Sequence, residues 1–96
     1  MKALFDQVSL KASKMVTNAY STSFSLGIRM LNESVREPVY AIYGFVRFAD
    51  EIVDSFEGYV KAALIADFRK QTDEAIDQRI SLNPILNSFQ HAVNHC

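Results

Sequence analysis

The sequence predicts an all-α fold in which helices are connected by short junctions. Apolar residues recur at steps of three and four along most of the chain, the spacing that keeps side chains on one side of an α-helix. Serine, asparagine and glycine residues stand between these segments, where helices can begin or end. The chain has 96 residues, 49% of them hydrophobic, and no low-complexity segment, as expected of a globular protein. We therefore expect residues 1–96 to form a single helical unit.

The first predicted helix runs from Leu4 to Tyr20. Lys11 and Lys14 fall on its outer face, opposite an apolar face with the spacing of an amphipathic helix. The apolar residues expected to face the core are Phe5, Val8, Ala12, Met15, Val16 and Ala19. This helix carries no pattern that suggests chemistry, so we interpret it as structural.

The segment Tyr20-Ser-Thr-Ser-Phe-Ser25 begins with four hydroxyl side chains in a row. Such side chains compete with the backbone for hydrogen bonds, so the segment predicts a junction between helices. Two interpretations stay open. The hydroxyls cap a short helix that runs to about Leu31, or they form a loop that donates hydrogen bonds to an anion.

A central helix is predicted from about Val35 to about Phe56. Ser34 followed by Glu37 has the pattern of a capping box, and Gly58 marks the stop. The first apolar strip consists of Val35, Val39, Ile42, Val46, Ala49, Val53 and Phe56, and a second strip of Phe45, Phe48 and Ile52. A helix that is apolar over most of its circumference is normally buried, so we expect this one in the core.

A polar stripe runs along the central helix through Tyr43, Arg47, Asp50 and Asp54. The four-three-four spacing places these residues within roughly 60° of one another. Asp50 and Asp54 are one turn apart, about 6 Å along the axis, so both carboxylates could hold divalent cations that also bind a phosphate. Arg47 adds a forked donor suited to phosphate oxygens. Either Arg47 simply neutralises the aspartates on a solvated face, or, as the apolar flanks favour, the stripe lines a cavity in a helical core.

Two more helices are predicted in the second half of the chain. One runs from Tyr59 or Val60 to about Arg79, with charges of mixed sign outward, and should cover the central helix. Asn83-Pro84 then matches an N-cap followed by proline at the first helical position. The inward residues of this last helix are Ile85, Leu86, Phe89 and Val93. It shows no stop signal before Cys96, so we expect the chain to be cut short at its carboxyl end.

His91 and His95 have the spacing of two metal ligands on one helical face, with Cys96 beside them. A zinc site needs a further placed ligand that the sequence does not supply. We therefore interpret both histidines as exposed residues of a terminal helix and set the metal hypothesis aside.

The charge balance argues against nucleic acid as a partner. Ten basic and eleven acidic residues leave a formal net charge of −1, so any phosphate binding must be local. The single cysteine suits a reducing compartment, and neither a signal peptide nor an apolar run long enough to span a membrane is visible. We expect a cytoplasmic protein, with peripheral membrane association left open.

Three motifs together give the chain a family likeness. They are Tyr20-Ser-Thr-Ser-Phe24, Tyr40-Ala-Ile-Tyr-Gly-Phe-Val-Arg47 and Phe48-Ala-Asp-Glu-Ile-Val-Asp54. In this order they resemble the amino-terminal part of squalene/phytoene synthases, nearest to the bacterial phytoene synthases. The likeness spans nearly the whole chain.

The resemblance implies a helical-bundle fragment of the isoprenoid (terpenoid) synthase fold. It also implies a prenyltransferase that condenses two prenyl diphosphates, geranylgeranyl or farnesyl, head to head through a cyclopropylcarbinyl diphosphate to phytoene- or squalene-type products. Mg²⁺ is the implied cofactor, with Mn²⁺ as an alternative, and NADPH would be needed only if the product is squalene.

The resemblance also assigns residues. Asp50 and Asp54 resemble the family's first aspartate-rich motif, which holds Mg²⁺ against the substrate diphosphate. Arg47 and Tyr43 resemble residues that contact the diphosphate. Ser21 and Ser23 resemble a hydroxyl loop over the diphosphate, and Phe24 resembles a residue that contacts the isoprenoid chain or a carbocation.

The chain departs from the family pattern in lacking a second D-x-x-x-D with the expected surroundings. Asp73 and Asp77 have that spacing but lie on the covering helix, so we interpret the match as accidental. The chain is therefore expected to carry only half of the metal site and to be inactive by itself. A non-catalytic, self-associating helical module remains the alternative. A terpene cyclase acting on one prenyl diphosphate is disfavoured by the Tyr20–Phe24 motif.

Overall fold

The computed structural model describes residues 1–95 and contains five α-helices within them. They are α1 (Lys2–Tyr20), α2 (Thr22–Arg29), α3 (Glu33–Asp54), α4 (Lys61–Gln78) and α5 (Pro84–His95). The described residues contain no strand, so the predicted all-α fold class is confirmed. None of these helices is long and apolar enough to cross a membrane.

Helix α5 lies between the other long helices and contacts α1, α3 and α4. The predicted cap is present, because the Ile85 amide donates to Asn83 Oδ1 at 3.0 Å. Ile85 and Leu86 are buried as predicted, whereas Val93 is 42% exposed, so its predicted inward position was wrong. The inner face of α5 continues instead through buried Asn87 and Gln90.

The buried amides of α5 join three helices through hydrogen bonds. Asn87 Nδ2 donates to Asp6 Oδ1 at 2.9 Å and to Ser9 Oγ at 3.0 Å, which links α5 to α1. Gln90 Nε2 donates to Asn87 Oδ1 at 3.2 Å. Asn94 Nδ2 donates to Gln90 Oε1 at 2.9 Å and to the backbone carbonyl of α4 residue 76 at 3.1 Å. These bonds satisfy polar groups that would otherwise be buried at a cost.

Helix α1 turns small hydroxyl residues toward the core. Its buried residues are Ser9, Ser13 and Thr17. Val8 and Met15, predicted to face the core, are 49% and 67% exposed, so that part of the predicted face was wrong. The physical reason is the close approach of α3. A Cβ added at Gly44 would lie only 3.1 Å from the Cβ of Ser13, which leaves no room for large side chains between the helices.

The predicted burial of the central helix is correct for one side only. Tyr40, Ala41, Gly44 and Ile52 are buried where α1, α4 and α5 pack. The valine and isoleucine strip is not buried: Val35 is 45%, Ile42 43%, Val46 46% and Val53 52% exposed. No helix among residues 1–95 covers this strip, which we call the open α3 face.

Helix α4 covers the end of α3 that carries the phenylalanines, as predicted. The rings of Phe45 and Phe68 stack with centroids 5.4 Å apart, and Phe48 meets Phe68 edge-on at 5.6 Å. Phe45 also stacks on Phe89 of α5 at 3.8 Å. This aromatic cluster ties α3, α4 and α5 together.

The ends of α3 differ from the prediction. Asn32, not Ser34, is the N-cap, and Asn32 Oδ1 accepts from the Ser34 amide at 3.2 Å. The predicted capping box is therefore wrong, because the helix already begins at Glu33 and Ser34 lies inside its first turn. The helix ends at Asp54, two residues before Phe56, and Gly58 follows in the turn with φ of 83°.

Candidate functional site

The junction between α1 and α2 lies on α3. Ser21 has an extended backbone and ends one helix while capping the next, and its Oγ accepts from the Phe24 amide at 3.1 Å. The interpretation of this segment as a helix cap is therefore confirmed for Ser21. A hydroxyl that accepts one hydrogen bond still has its own O–H to donate, so capping and anion binding are compatible. Ser23 is exposed on α2 and makes no hydrogen bond to α3.

Two of the predicted substrate residues meet across α2 and α3. The rings of Phe24 and Tyr43 stack with centroids 4.3 Å apart and planes 20° from parallel. They border a small apolar groove of about 190 Å³ on the open α3 face, together with Val39, Ile42 and Val46. The structure thus provides a short aromatic and aliphatic wall, whose α3 residues lie about one to three helical turns before Asp50.

Arg47 is held between Tyr20 and Glu51. Its Cζ lies 4.6 Å from the centroid of the Tyr20 ring, and its Nη2 donates to Glu51 Oε2 at 2.8 Å. The side chains of Arg47 and Glu51 are only 26% and 18% exposed. Arg47 therefore does not pair with the two aspartates, so the interpretation in which it neutralises them is wrong.

The electrostatics around Glu51 follow from these neighbours. Polar contacts from the Ser55 and Arg47 side chains, and from Tyr20, lower the pKa of the Glu51 carboxyl. The same contact with Glu51 raises the pKa of the Tyr20 phenol and that of Arg47, so the guanidinium stays charged. Of these contacts, the one with Arg47 is a hydrogen bond of 2.8 Å.

Tyr20 and Glu51 were not singled out as site residues by sequence reasoning. The available signal was the four-residue step from Arg47 to Glu51, the spacing of a helical ion pair. The contact with Tyr20 has no such local signal, because it joins segments far apart in sequence.

Asp50 and Asp54 lie on successive turns at the end of α3, and both are exposed. The predicted position of these carboxylates inside a covered core cavity is wrong for this chain, because no described helix packs over them. Neither makes a salt bridge or a side-chain hydrogen bond within residues 1–95. Their oxygens are therefore available to a cation.

The two carboxylates fit a partial magnesium site. Mg²⁺ is commonly held by one or two carboxylates, with waters and substrate phosphates completing its shell. The described residues contain no group of three or more histidine, cysteine, aspartate or glutamate side chains placed to hold a metal. Asp50 and Asp54 could thus supply two ligands, and the remaining ones would come from the ligand and solvent.

The comparison with known sequences agrees with these motifs. A sequence model of the squalene/phytoene synthase family matches residues 17–96, which include the Tyr20–Phe24 segment and both aspartates. The chain belongs to the squalene/phytoene synthase family.

A curated relative and the search of solved structures add two findings. Over 54 residues the chain is 43% identical to presqualene diphosphate synthase of Zymomonas mobilis, an alignment that covers 56% of this chain and 19% of that relative. The chain thus spans about a fifth of the length of the relative. No solved structure matches it.

The larger cavity of this squalene/phytoene synthase family member lies elsewhere. It has a volume of about 350 Å³, lies between α1, α3 and α5, and includes none of the predicted site residues. His91 and His95 border it, with rings stacked 4.1 Å apart and His95 Nδ1 2.8 Å from the His91 carbonyl oxygen. Cys96, named with them in the metal hypothesis, lies outside the described residues.

Proposed function

We propose that this chain is the diphosphate-binding front part of an enzyme that condenses two prenyl diphosphates head to head. Family membership supports the reaction class. For these residues, the main support is that the α1–α2 junction packs against α3. It brings Tyr20 to Arg47 and Phe24 to Tyr43, on the helix whose end carries the exposed carboxylates of Asp50 and Asp54.

Each group has a role in binding and ionising an allylic diphosphate. Asp50 and Asp54 would hold Mg²⁺ or Mn²⁺, which when bound neutralises the charge that develops on the departing diphosphate. Arg47 would donate to diphosphate oxygens, joined by the hydroxyls of Ser21 and Ser23. Phe24 and Tyr43 would line the start of the isoprenoid path and keep water from the carbocation.

The overall reaction joins two allylic diphosphates into a cyclopropylcarbinyl diphosphate, with release of one inorganic diphosphate and one proton. The name of the Zymomonas mobilis relative supports a product that keeps a diphosphate. Further conversion would give phytoene or squalene, and only squalene would require a hydride from NADPH. Both geranylgeranyl and farnesyl diphosphate fit the proposal as substrates.

The direct test is isothermal titration of the 96-residue chain with a non-hydrolysable farnesyl diphosphate analogue, with and without Mg²⁺. Binding should require Mg²⁺ and disappear in Asp50→Asn. Asp67→Asn is a matched control, since it removes an exposed carboxylate of α4 outside the stripe. Magnesium-independent binding, or equal binding by Asp50→Asn, would contradict the site assignment.

The exposed apolar residues favour a second candidate, a self-associating helical module. Besides the open α3 face, the chain exposes other apolar side chains, such as Met30 at 88% and Leu82 at 92%. Exposed apolar patches tend to become interfaces. Sedimentation velocity over a range of concentrations tests this candidate, which predicts a mass above 10.9 kDa.

A further inference from the structure

Arg47 has two acidic residues within reach on its own helix. Asp50 is three positions ahead and Glu51 four, and both spacings allow a side-chain pair on a helical surface. In the structure Arg47 donates to Glu51, while Asp50 makes no ion pair among the described residues. The choice between these partners decides whether Asp50 is available to a cation.

Tyr20 makes the guanidinium position more specific than an ordinary helical ion pair. The ring of Tyr20 lies under the guanidinium, and Glu51 holds one of the terminal nitrogens. Arg47 Nε is buried and has no hydrogen-bond partner among residues 1–95, so the donors still within reach of a ligand are on the terminal nitrogens. The Tyr20 ring and the Glu51 carboxylate therefore fix both the plane and the direction of the guanidinium.

We infer that Glu51 is a positioning residue that holds the Arg47 guanidinium against Tyr20 and away from Asp50. This inference rests on the proposed function, since it assigns Arg47 and Asp50 to the same diphosphate site. Glu51 itself need not touch the ligand. Its effect is to keep a cationic donor and an acidic metal ligand side by side without letting them neutralise each other.

The physical reason is competition for Asp50. Without the Glu51 charge, the nearest carboxylate for Arg47 is that of Asp50, and a charge-assisted hydrogen bond there would occupy oxygens that a cation needs. An arginine that is not held by Glu51 would also be mobile before binding, so a ligand that orders it would cost side-chain entropy. Both effects weaken the binding of a metal diphosphate. If Glu51 only repelled the anion, removing its negative charge would instead strengthen binding. The sign of the change thus discriminates between positioning and repulsion.

The test uses the 96-residue chain, with Mg²⁺ and inorganic pyrophosphate as the probe in isothermal titration. Glu51→Gln is nearly isosteric, and we expect its pyrophosphate affinity to fall by about two- to tenfold. Tyr20→Leu removes the aromatic ring beneath the guanidinium at an exposed position, and it should also lower the pyrophosphate affinity. Unchanged or tighter binding by Glu51→Gln would overturn the inference.

Glu57→Gln is the matched control. It removes another glutamate from an ion pair of the same spacing, in which Lys61 Nζ lies 2.8 Å from Glu57 Oε1, at an 82% exposed side chain outside the stripe. Its pyrophosphate affinity should equal that of the unaltered chain. A fall equal to that of Glu51→Gln would show a general charge effect and overturn the positioning role.

A second readout separates this inference from the proposed function. Nuclear Overhauser contacts between the Arg47 side chain and the Tyr20 ring should be present in the unaltered chain and weaken in Glu51→Gln, with no ligand added. If these contacts are the same in both proteins, Glu51 does not position Arg47. If the unaltered chain does not bind magnesium pyrophosphate at all, the proposed half-site fails, whereas the contacts still decide the role of Glu51.

Discussion

At the scale of single residues, exposure separates the carboxylates that can bind a cation from those that hold the fold. Asp50 and Asp54 are exposed and form no ion pair within the described residues, whereas Asp6 is 23% exposed and accepts hydrogen bonds from Lys2 and Asn87. We therefore expect substitutions at the first pair to affect ligand binding and substitutions at Asp6 to affect folding.

Asp54→Asn should lower magnesium-dependent binding of the diphosphate analogue by at least about tenfold, because a neutral amide is a poorer ligand for Mg²⁺. The thermal midpoint should stay within about 2 °C of that of the unaltered chain, since the exposed Asp54 side chain makes no hydrogen bond or ion pair within residues 1–95. Titration calorimetry and a circular dichroism melt measure the two effects.

In a complete enzyme the same change, or Asp50→Asn, should remove most turnover. Normal rates at ordinary Mg²⁺ would refute the assignment.

The hydrogen bonds of Asp6 lead us to expect that the folded chain loses stability in acid. Partial burial alone would raise its pKa, but hydrogen bonds from Lys2 and Asn87 outweigh burial and lower the pKa of the folded state. The unfolded chain then binds the proton more tightly than the folded chain. Asp6 therefore stabilises the fold at pH values above the ordinary aspartate pKa of about 3.9, and this stabilisation is lost as the pH falls through the pKa of the folded state. Urea unfolding at a series of pH values should show this fall. Asp6→Asn should show a shallower dependence; an equal slope would exclude Asp6 as its source.

At the scale of elements, periodicity and caps were sufficient to predict the number and order of the helices. The five segments and the Ser21 and Asn83 caps depend on residues close in sequence. The predicted faces were less accurate, because a face is decided by which helices pack against it. On α1, Ser13 faces inward where Gly44 of α3 leaves no room for a larger residue, and Ser9 faces inward where its Oγ accepts from Asn87 of α5.

Gly44→Ala and Gly27→Ala form a matched pair that measures this helix contact. Both glycines lie inside helices, so both substitutions gain the same helix propensity. A Cβ at Gly44 would meet Ser13 at 3.1 Å, whereas nothing lies within 4 Å of one at Gly27. We expect Gly44→Ala to be less stable than Gly27→Ala by about 1–3 kcal/mol in urea unfolding. Equal stability would show that α1 and α3 can separate without cost.

The amide network predicts that Asn87→Ala destabilises the chain by about 1–3 kcal/mol, because Ser9 and Gln90 would lose a buried partner. Asn18→Ala is a comparison from α1 in which an exposed asparagine accepts a single side-chain hydrogen bond, from the hydroxyl of Ser25. A loss in Asn87→Ala no greater than in Asn18→Ala, measured by the same unfolding assay, would show that the network contributes little.

At the scale of the whole molecule, the prediction of a buried central helix was half wrong for a physical reason. The sequence shows how apolar α3 is, but not which of its sides has a partner within the chain. The open α3 face has none among residues 1–95, and it borders Phe24 and Tyr43 of the candidate site. Helical spacing was enough to predict that Arg47, Asp50 and Asp54 share one side of α3, whereas their role as a site stays a prediction. The contacts of Tyr20 with Arg47 and of Phe24 with Tyr43 required the tertiary structure.

The open α3 face also allows a prediction about association. If copies of the chain associate through this face, Val46→Lys should lower the sedimentation coefficient at high concentration, because a lysine would have to be buried in the interface. Ala62→Lys, at an exposed position of α4, is the control and should leave the coefficient unchanged. Equal behaviour of the two variants would place any interface elsewhere.

The most direct test of the central claim is to map amide chemical shifts of the chain during titration with Mg²⁺ and the farnesyl diphosphate analogue. The proposal predicts saturable changes confined to residues 20–24 and 43–54, with the largest near Arg47 and Asp50. Changes at the α1–α5 cavity around His91 instead, or none at all at millimolar ligand, would contradict a diphosphate site built by the α1–α2 junction on α3.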